Sequence, residues 1–238
     1  MDKPVLFEVE EGIALITLNR PHRHNAICQD LLIHLYNYLD EVQNSNDIRV
    51  AILTGNGKSF CSGIDLDVIG KDNLLDPRGD GTDFPDAFAA CTKPIIGAIN
   101  GNAITGGFEM ALNCDFLLAT ETTRFRDTHA AVGIHPGWGM TQLLQEAVGQ
   151  RMAKQISLTC QPVPAQQALR LGLVNEVVPL DELIPRAKAI ARDICSVNQD
   201  LRVTIKDLIE YRNEASLKQA LKQERVSFAE FMKKSMAT

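Results

Sequence analysis

Residues 95–119 read IIGAINGNAITGGFEMALNCDFLLA. Ile95–Ile99 is short and apolar, the signature of a buried strand. Asn100-Gly101-Asn102 marks a turn, and Gly106-Gly107 opens a stretch that reads as a helix entry. Phe116–Ala119 is apolar again and predicts a second strand. Strand, glycine-bearing turn, helix, strand is an α/β pattern, and the rest of the chain repeats it loosely. Upstream, Val5–Val9 places Val5, Phe7 and Val9 on one strand face, and Ile13–Leu18 follows across the turn Glu11-Gly12. Positions 31, 32, 35, 36, 39 and 42 are apolar or aromatic, which predicts an amphipathic helix over Leu31–Val42. Ile48–Leu53 predicts a buried strand that ends at Thr54-Gly55-Asn56-Gly57. Downstream, a helix from near Pro164 to Leu171, stopped by Gly172, leads to a strand over Val174–Val178. Beyond Pro179, residues 181–197, 199–212 and 214–235 predict helices with no strand between them. The expected division is a core, 1–178, and a helical extension, 179–238, that covers an edge or packs on a neighbouring subunit.

Composition narrows the task without defining it. The chain has 238 residues, with 24 Lys plus Arg against 30 Asp plus Glu, a formal net charge of -6. Hydrophobic residues at 45 % and charged residues at 23 % exclude a wholly disordered or collagenous chain. Net acidity argues against general nucleic-acid binding. The six cysteines, at 28, 61, 91, 114, 160 and 195, form no C-x-x-C pair. They predict reduced, buried thiols in a reducing compartment rather than a metal site. The opening MDKPVLFEVEEG lacks the apolar region of a secretory signal, and no apolar run reaches the ~18–20 residues of a membrane span. The final SMAT is not a peroxisomal tripeptide. A cytoplasmic protein with no membrane partner is expected. The polar stretch GKDNLLDPRGDGTD, residues 70–83, predicts a loop.

Three glycine-bearing segments are candidates for chemistry: 58–66, 100–109 and 132–139. In the second, Gly106 sits at the positive end of a predicted helix, where free N–H groups meet a ligand oxygen closely. Glu109 follows one turn later on nearly the same face. A donor and a carboxylate converging on one spot suit oxyanion stabilisation coupled to proton transfer. A plain strand-to-helix turn explains the same residues. The spacing G-x-G-x-x-G is absent and so is a P-loop, which excludes dinucleotide hydride transfer and nucleoside triphosphate chemistry of those types.

Six stretches, taken in order, resemble the enoyl-CoA hydratase/isomerase (crotonase) superfamily. They are Asn19-Arg20-Pro21 with Asn25-Ala26; Phe60-Cys61-Ser62-Gly63-Ile64-Asp65-Leu66; residues 93–101; residues 106–115; Gly133-Ile134-His135-Pro136-Gly137; and residues 168–178. The resemblance runs from about residue 5 to the C-terminal helices. It implies an α/β spiral of ββα units with a C-terminal helical trimerisation region, homotrimers or hexamers, and an acyl thioester of coenzyme A as substrate, without a further cofactor or metal. It assigns the oxyanion donors to the Ser62 and Gly106 amides and the first acid/base carboxylate to Glu109. Counting back from Gly133, the family's second carboxylate falls at His129, with Asp127 two residues earlier. In an extended segment these two would share a face; either His129 or Asp127 replaces the missing acid, or the enzyme runs on Glu109 alone. The same D-T-H-A run before P-G-W-G resembles a hydratase subgroup. Arg23, His24, Ala26, Ser59, Cys61, Gly63, Ile64, Asp65, Gly107, Pro136 and Trp138 are the expected substrate and coenzyme A contacts. Phe84, Phe88 and Met140 are further candidates for the acyl pocket, and Lys218, Lys222 and Lys233 for the nucleotide of a neighbouring subunit. Hydration of a 2-enoyl-CoA is the leading expectation. Double-bond isomerisation, or an acyl-CoA-binding oligomer with little turnover, is the alternative.

Overall fold

A computed structural model describes residues 3–236. In chain order the elements are β1 (Val5–Glu10), β2 (Ile13–Leu18), α1 (Gln29–Asn44), β3 (Val50–Gly55), β4 (Ser59–Cys61), α2 (Phe84–Ala89), β5 (Ile95–Ile99), β6 (Asn102–Ile104), α3 (Gly106–Leu112), β7 (Phe116–Thr120), β8 (Arg124–Arg126), α4 (His129–Val132), α5 (Met140–Val148), α6 (Gln150–Thr159), β9 (Val163–Pro164), α7 (Ala165–Leu171), β10 (Glu176–Val178), α8 (Leu183–Ser196), α9 (Gln199–Glu214) and α10 (Leu217–Met236). The main sheet has six strands in the order β1-β2-β3-β5-β7-β10. Only the β1–β2 pair is antiparallel.

The inner strands are buried on both faces, which is why they read as unbroken apolar runs rather than alternating ones. Their side chains nevertheless divide by parity. Ala51, Leu53, Ile95, Ile99, Leu117 and Ala119 face a large core shared with Leu31, Leu35 and Leu39 of α1. Ile52, Ile96, Ala98 and Leu118 face the other way, against Leu183, Ala187 and Ala191 of α8. Thus α8, which lies inside the extension expected from residue 179, is packed on the sheet as part of the core. The first compact unit runs to Cys195, and a second begins at Ser196. In the second unit Asn198 caps α9 by accepting the Leu201 N–H at 3.0 Å.

A second sheet, β4-β6-β8-β9, has strands of only two or three residues. It was not foreseen because such short strands show no period. Its carboxyl ends carry the chain into α3 and α4. A side chain at Gly107 would collide with the Cys61 carbonyl, so α3 can lie close against β4 only with glycine there.

Candidate active site

A cavity of about 530 Å³ opens beside the second sheet, lined by Ser62–Ile64, Thr105, Gly106, Glu109, Thr128, His129 and Trp138, among others. Glu109 is buried on α3. Its Oε1 accepts the Trp138 N–H at 2.9 Å and the Met140 N–H at 3.2 Å. Those amides are held in turn by Asn113, whose Nδ2 donates to the Trp138 carbonyl at 3.0 Å and to the Glu109 carbonyl at 2.8 Å. The other oxygen, Oε2, lies 3.6 Å from His129 Nε2. Burial raises the Glu109 pKa, and the two amides and the His129 ring only partly offset it.

His129 and Asp127 do not share a strand face. The structure corrects that expectation: β8 ends at Arg126, and His129 is the first residue of α4. Asp127 Oδ1 accepts the His129 backbone N–H at 3.0 Å, which turns the chain into α4. The same oxygen lies 2.7 Å from His129 Nδ1, so the ring is held with Nε2 toward Glu109. Burial would lower the His129 pKa, but the Asp127 bond and the Glu109 charge outweigh it and the net shift is upward. Burial would likewise raise Asp127, but bonds from His129 and from the Ser157 side chain hold it below the usual carboxylate value. Ser157, Asp127 and His129 are therefore joined by hydrogen bonds, and His129 Nε2 stops 3.6 Å short of Glu109 Oε2.

One oxyanion donor must be corrected. The Ser62 N–H is committed to the His24 carbonyl at 3.1 Å. Two residues on, Ile64 pairs with Ile27 through a bridge in which Ile27 N–H bonds Gly63 O and Asp65 N–H bonds Ile27 O. The Ile64 N–H has no protein acceptor among the described residues, and neither does the Gly106 N–H at the start of α3. Both residues line the cavity. A Cβ at Gly63, where φ is +89°, would stand 2.9 Å from the Ile104 carbonyl and 3.5 Å from the Gly106 nitrogen, so the two segments are immediate neighbours. Sequence spacing alone does not reveal which amide of the C-S-G-I turn is free.

The remaining predicted contacts separate into three groups. Arg23, His24, Ala26, Ile64 and Asp65 line a more open depression that shares Ser62, Ile64 and Leu66 with the main cavity. Asp65 there is tied to Arg20 at 3.0 Å. Its burial is outweighed by the Asp67 amide and Arg20, which hold it below the usual carboxylate value. Arg23 reaches Asp67 at 2.5 Å. Ser59, Cys61, Gly107 and Pro136 lie outside both linings. Ser59 meets His24 Nδ1 at 3.1 Å, and burial pushes the Cys61 thiol up to about 12. Phe84, Phe88 and Met140 are core residues and not cavity wall; Phe84 stacks on the far side of Trp138, ring centroids 4.8 Å apart. The apolar wall is instead supplied by Leu66, Ile69, Leu74, Leu75, Val132 and Ile134, several of them inside or beside the stretch read as a polar loop. Among the described residues no cluster of His, Cys, Asp and Glu could hold a metal, and no helix is long and apolar enough to cross a membrane.

Comparison with known proteins shows the family. The model of the enoyl-CoA hydratase/isomerase family matches residues 8–237. A probable peroxisomal enoyl-CoA hydratase 1 of Arabidopsis thaliana is 40 % identical over 217 residues, covering 90 % of this chain and 81 % of the relative. A short-chain-enoyl-CoA hydratase of Clostridium acetobutylicum is 38 % identical over 227 residues, covering 89 % and 87 %. The crystal structure of an enoyl-CoA hydratase from Mycobacterium avium superposes with a TM-score of 0.80 at 37 % identity, covering 99 % of this chain and 100 % of that one.

Proposed function

Because the chain belongs to the enoyl-CoA hydratase/isomerase family, we propose that it is a hydro-lyase that adds water reversibly to a 2-enoyl thioester of coenzyme A. One observation carries this reading. In one cavity the buried carboxylate of Glu109 lies 3.6 Å from His129 Nε2, and the Ile64 and Gly106 amides, which have no protein acceptor among the described residues, line the same cavity.

The thioester carbonyl oxygen binds the Ile64 and Gly106 amides, with the α3 N-terminus adding its positive end. Glu109 Oε2 takes a proton from a water molecule, whose oxygen bonds the β-carbon. The double-bond electrons move toward the thioester, giving an enolate held at the two amides. His129, protonated at Nε2, delivers a proton to the α-carbon. The proton on Glu109 then returns to His129 across the short gap between them, and the site is reset. Asp127 holds the ring and stabilises its charge. Removing a single oxyanion donor costs ~10²–10³ in kcat in other enzymes, so these amides are expected to contribute as much as the side chains.

Arg23 and His24, in the adjoining depression, are in position for the anionic nucleotide end of the thioester. The helical unit beyond Ser196 supports assembly into a homotrimer or hexamer. Within one chain Ile205 and Ile209 of α9 and Leu217, Leu221 and Phe228 of α10 are exposed, which is unusual for a finished surface. Light scattering after gel filtration checks this, and a monomer at micromolar concentration would contradict it.

The decisive assay compares crotonyl-CoA with a 3-enoyl-CoA on wild type and on Glu109→Gln. Hydration of crotonyl-CoA by wild type, lost by ~10²–10⁴ in the variant, is expected of a general acid/base. Unchanged turnover in the variant removes Glu109 from the mechanism. Faster turnover of the 3-enoyl substrate would make the chain an isomerase, and acyl-CoA binding without turnover would make it a binding protein.

A further inference from the structure

Thr105 is the residue before Gly106, and it has φ +51° and ψ -111°. A β-branched residue does not adopt this conformation unless its surroundings impose it. Three bonds do so. The Thr105 N–H donates to the Arg126 carbonyl at 2.8 Å. Its Oγ1 accepts the Thr128 N–H at 3.1 Å and is hydrogen-bonded to the Thr128 hydroxyl. Both threonines line the cavity.

Their neighbours give the contact its meaning. Thr105 precedes Gly106, whose amide faces the cavity, and its carbonyl accepts the Glu109 N–H at 2.8 Å in the first turn of α3. Thr128 stands between Asp127 and His129, and its carbonyl accepts the Val132 N–H at 3.0 Å in α4. The hydroxyl pair is therefore a side-chain hydrogen bond between the segment carrying Gly106 and Glu109 and the segment carrying Asp127 and His129, beside the 3.6 Å contact of Glu109 with His129. We propose that Thr105 and Thr128 are positioning residues whose paired hydroxyls fix the distance between the oxyanion amide and the imidazole. The inference rests on the function proposed above for the placing of the substrate, but the link itself is independent of turnover.

The test uses Thr105→Val and Thr128→Val, which keep the branched shape and remove the hydroxyl, with Thr105→Ser as the conservative control. Each valine variant is expected to lower kcat by ~10-fold with KM within about twofold, because displacement by a fraction of an ångström already costs rate. Thr105→Ser restores kcat to within about twofold of wild type. The double valine variant is no worse than the worse single one, as befits two halves of one bond. Heteronuclear NMR of the imidazole gives a readout without substrate: in each valine variant His129 titrates at lower pH than in wild type, because its hold on Asp127 has loosened. Equal kcat and equal His129 titration in wild type and both valine variants would overturn the proposal, and so would failure of Thr105→Ser to restore what Thr105→Val loses. If wild type turns over no enoyl-CoA, the functional reading fails, and the NMR titration still decides the link.

Discussion

Glu109 and His129 meet at one point from supports of different kinds. Glu109 stands on α3, and its pinned oxygen is held by two backbone amides of the Trp138–Met140 turn. His129 opens the four-residue helix α4 and is held by side chains: Asp127 on the ring, Ser157 behind Asp127, and Thr128 tied to Thr105. A carboxylate held by amides keeps its place as long as the backbone does. An imidazole held by a series of side chains is lost when any one of them changes. In the proposed mechanism the first arrangement gives a fixed base, and the second an acid whose strength can be tuned.

The largest expected effect falls on the backbone-held member. Glu109→Gln keeps the shape and its hydrogen-bonding oxygen but cannot take a proton, and ~10³-fold of kcat should disappear at unchanged fold, read by steady-state kinetics beside circular dichroism. His129→Ala is expected to cost ~10²-fold, with added imidazole restoring part of it. If His129→Ala keeps full activity, the enzyme runs on Glu109 alone and the comparison collapses to one residue.

These two members were not equally legible in the sequence. Glu109 stood out because a glycine pair and a carboxylate three residues later suit a helix terminus with one face. A plain strand-to-helix turn explains the same residues, and the acid/base role came from the resemblance. The strands of the main sheet were legible for the same kind of reason: Ile95–Ile99 and Ile13–Leu18 are runs that only burial explains, and both were found with their observed limits. His129 was located by counting, but its setting was misread as extended. The local signal was present, since an Asp two residues before a helix start is an Asx turn. Ser62 was assigned from its place in the resembling motif, and that the Ile64 amide is the free one depends on the bridge from Ile27, a partner distant in sequence. The short strands β4, β6, β8 and β9 and the apolar wall from Leu66 to Leu75 became visible only when segments remote in sequence were brought together.

The pH profile should separate the two supports. In the proposed mechanism turnover needs Glu109 ionised and His129 protonated. Glu109 is raised from the usual carboxylate value and His129 from the usual imidazole value. Activity therefore rises as pH climbs through the Glu109 value and falls as pH climbs through the His129 value, giving a bell whose limbs belong to the coupled pair. Asp127→Asn removes a charge that raises His129 and leaves only a weaker, neutral acceptor, so the alkaline limb should move to lower pH. Its charge also raises Glu109, as the smallest of the influences there, so the acid limb follows by less. A kcat loss of ~10-fold at the optimum is expected, read from kcat across pH 5–10. An alkaline limb that stays in place in Asp127→Asn would mean that Asp127 does not govern the ring.

The smallest effect, and the sharpest test of the contrast, concerns Asn113. Its side chain touches neither reacting group; it holds the carbonyls of Glu109 and Trp138 and so steadies the turn whose amides pin Glu109 Oε1. Asn113→Ala should cost about 1 kcal/mol of stability, which in a chain of this size lowers Tm by about 2–4 °C. Its kcat should fall by only ~3-fold, since the amides remain and lose only their restraint. The direction of the pH change is the informative part. Those amides lower the Glu109 pKa against the burial that raises it, so loosening them lets it rise further, and the acid limb should move to higher pH. His129 is held by Asp127, Ser157 and Thr128, groups that Asn113 does not touch, so the alkaline limb should stay where it is. The two substitutions thus displace opposite limbs: Asp127→Asn mainly the alkaline limb, downward, and Asn113→Ala only the acid limb, upward. An Asn113→Ala profile displaced on the alkaline side would show that the two supports are one network, and that the independence of the backbone-held base from the side-chain-held acid is wrong.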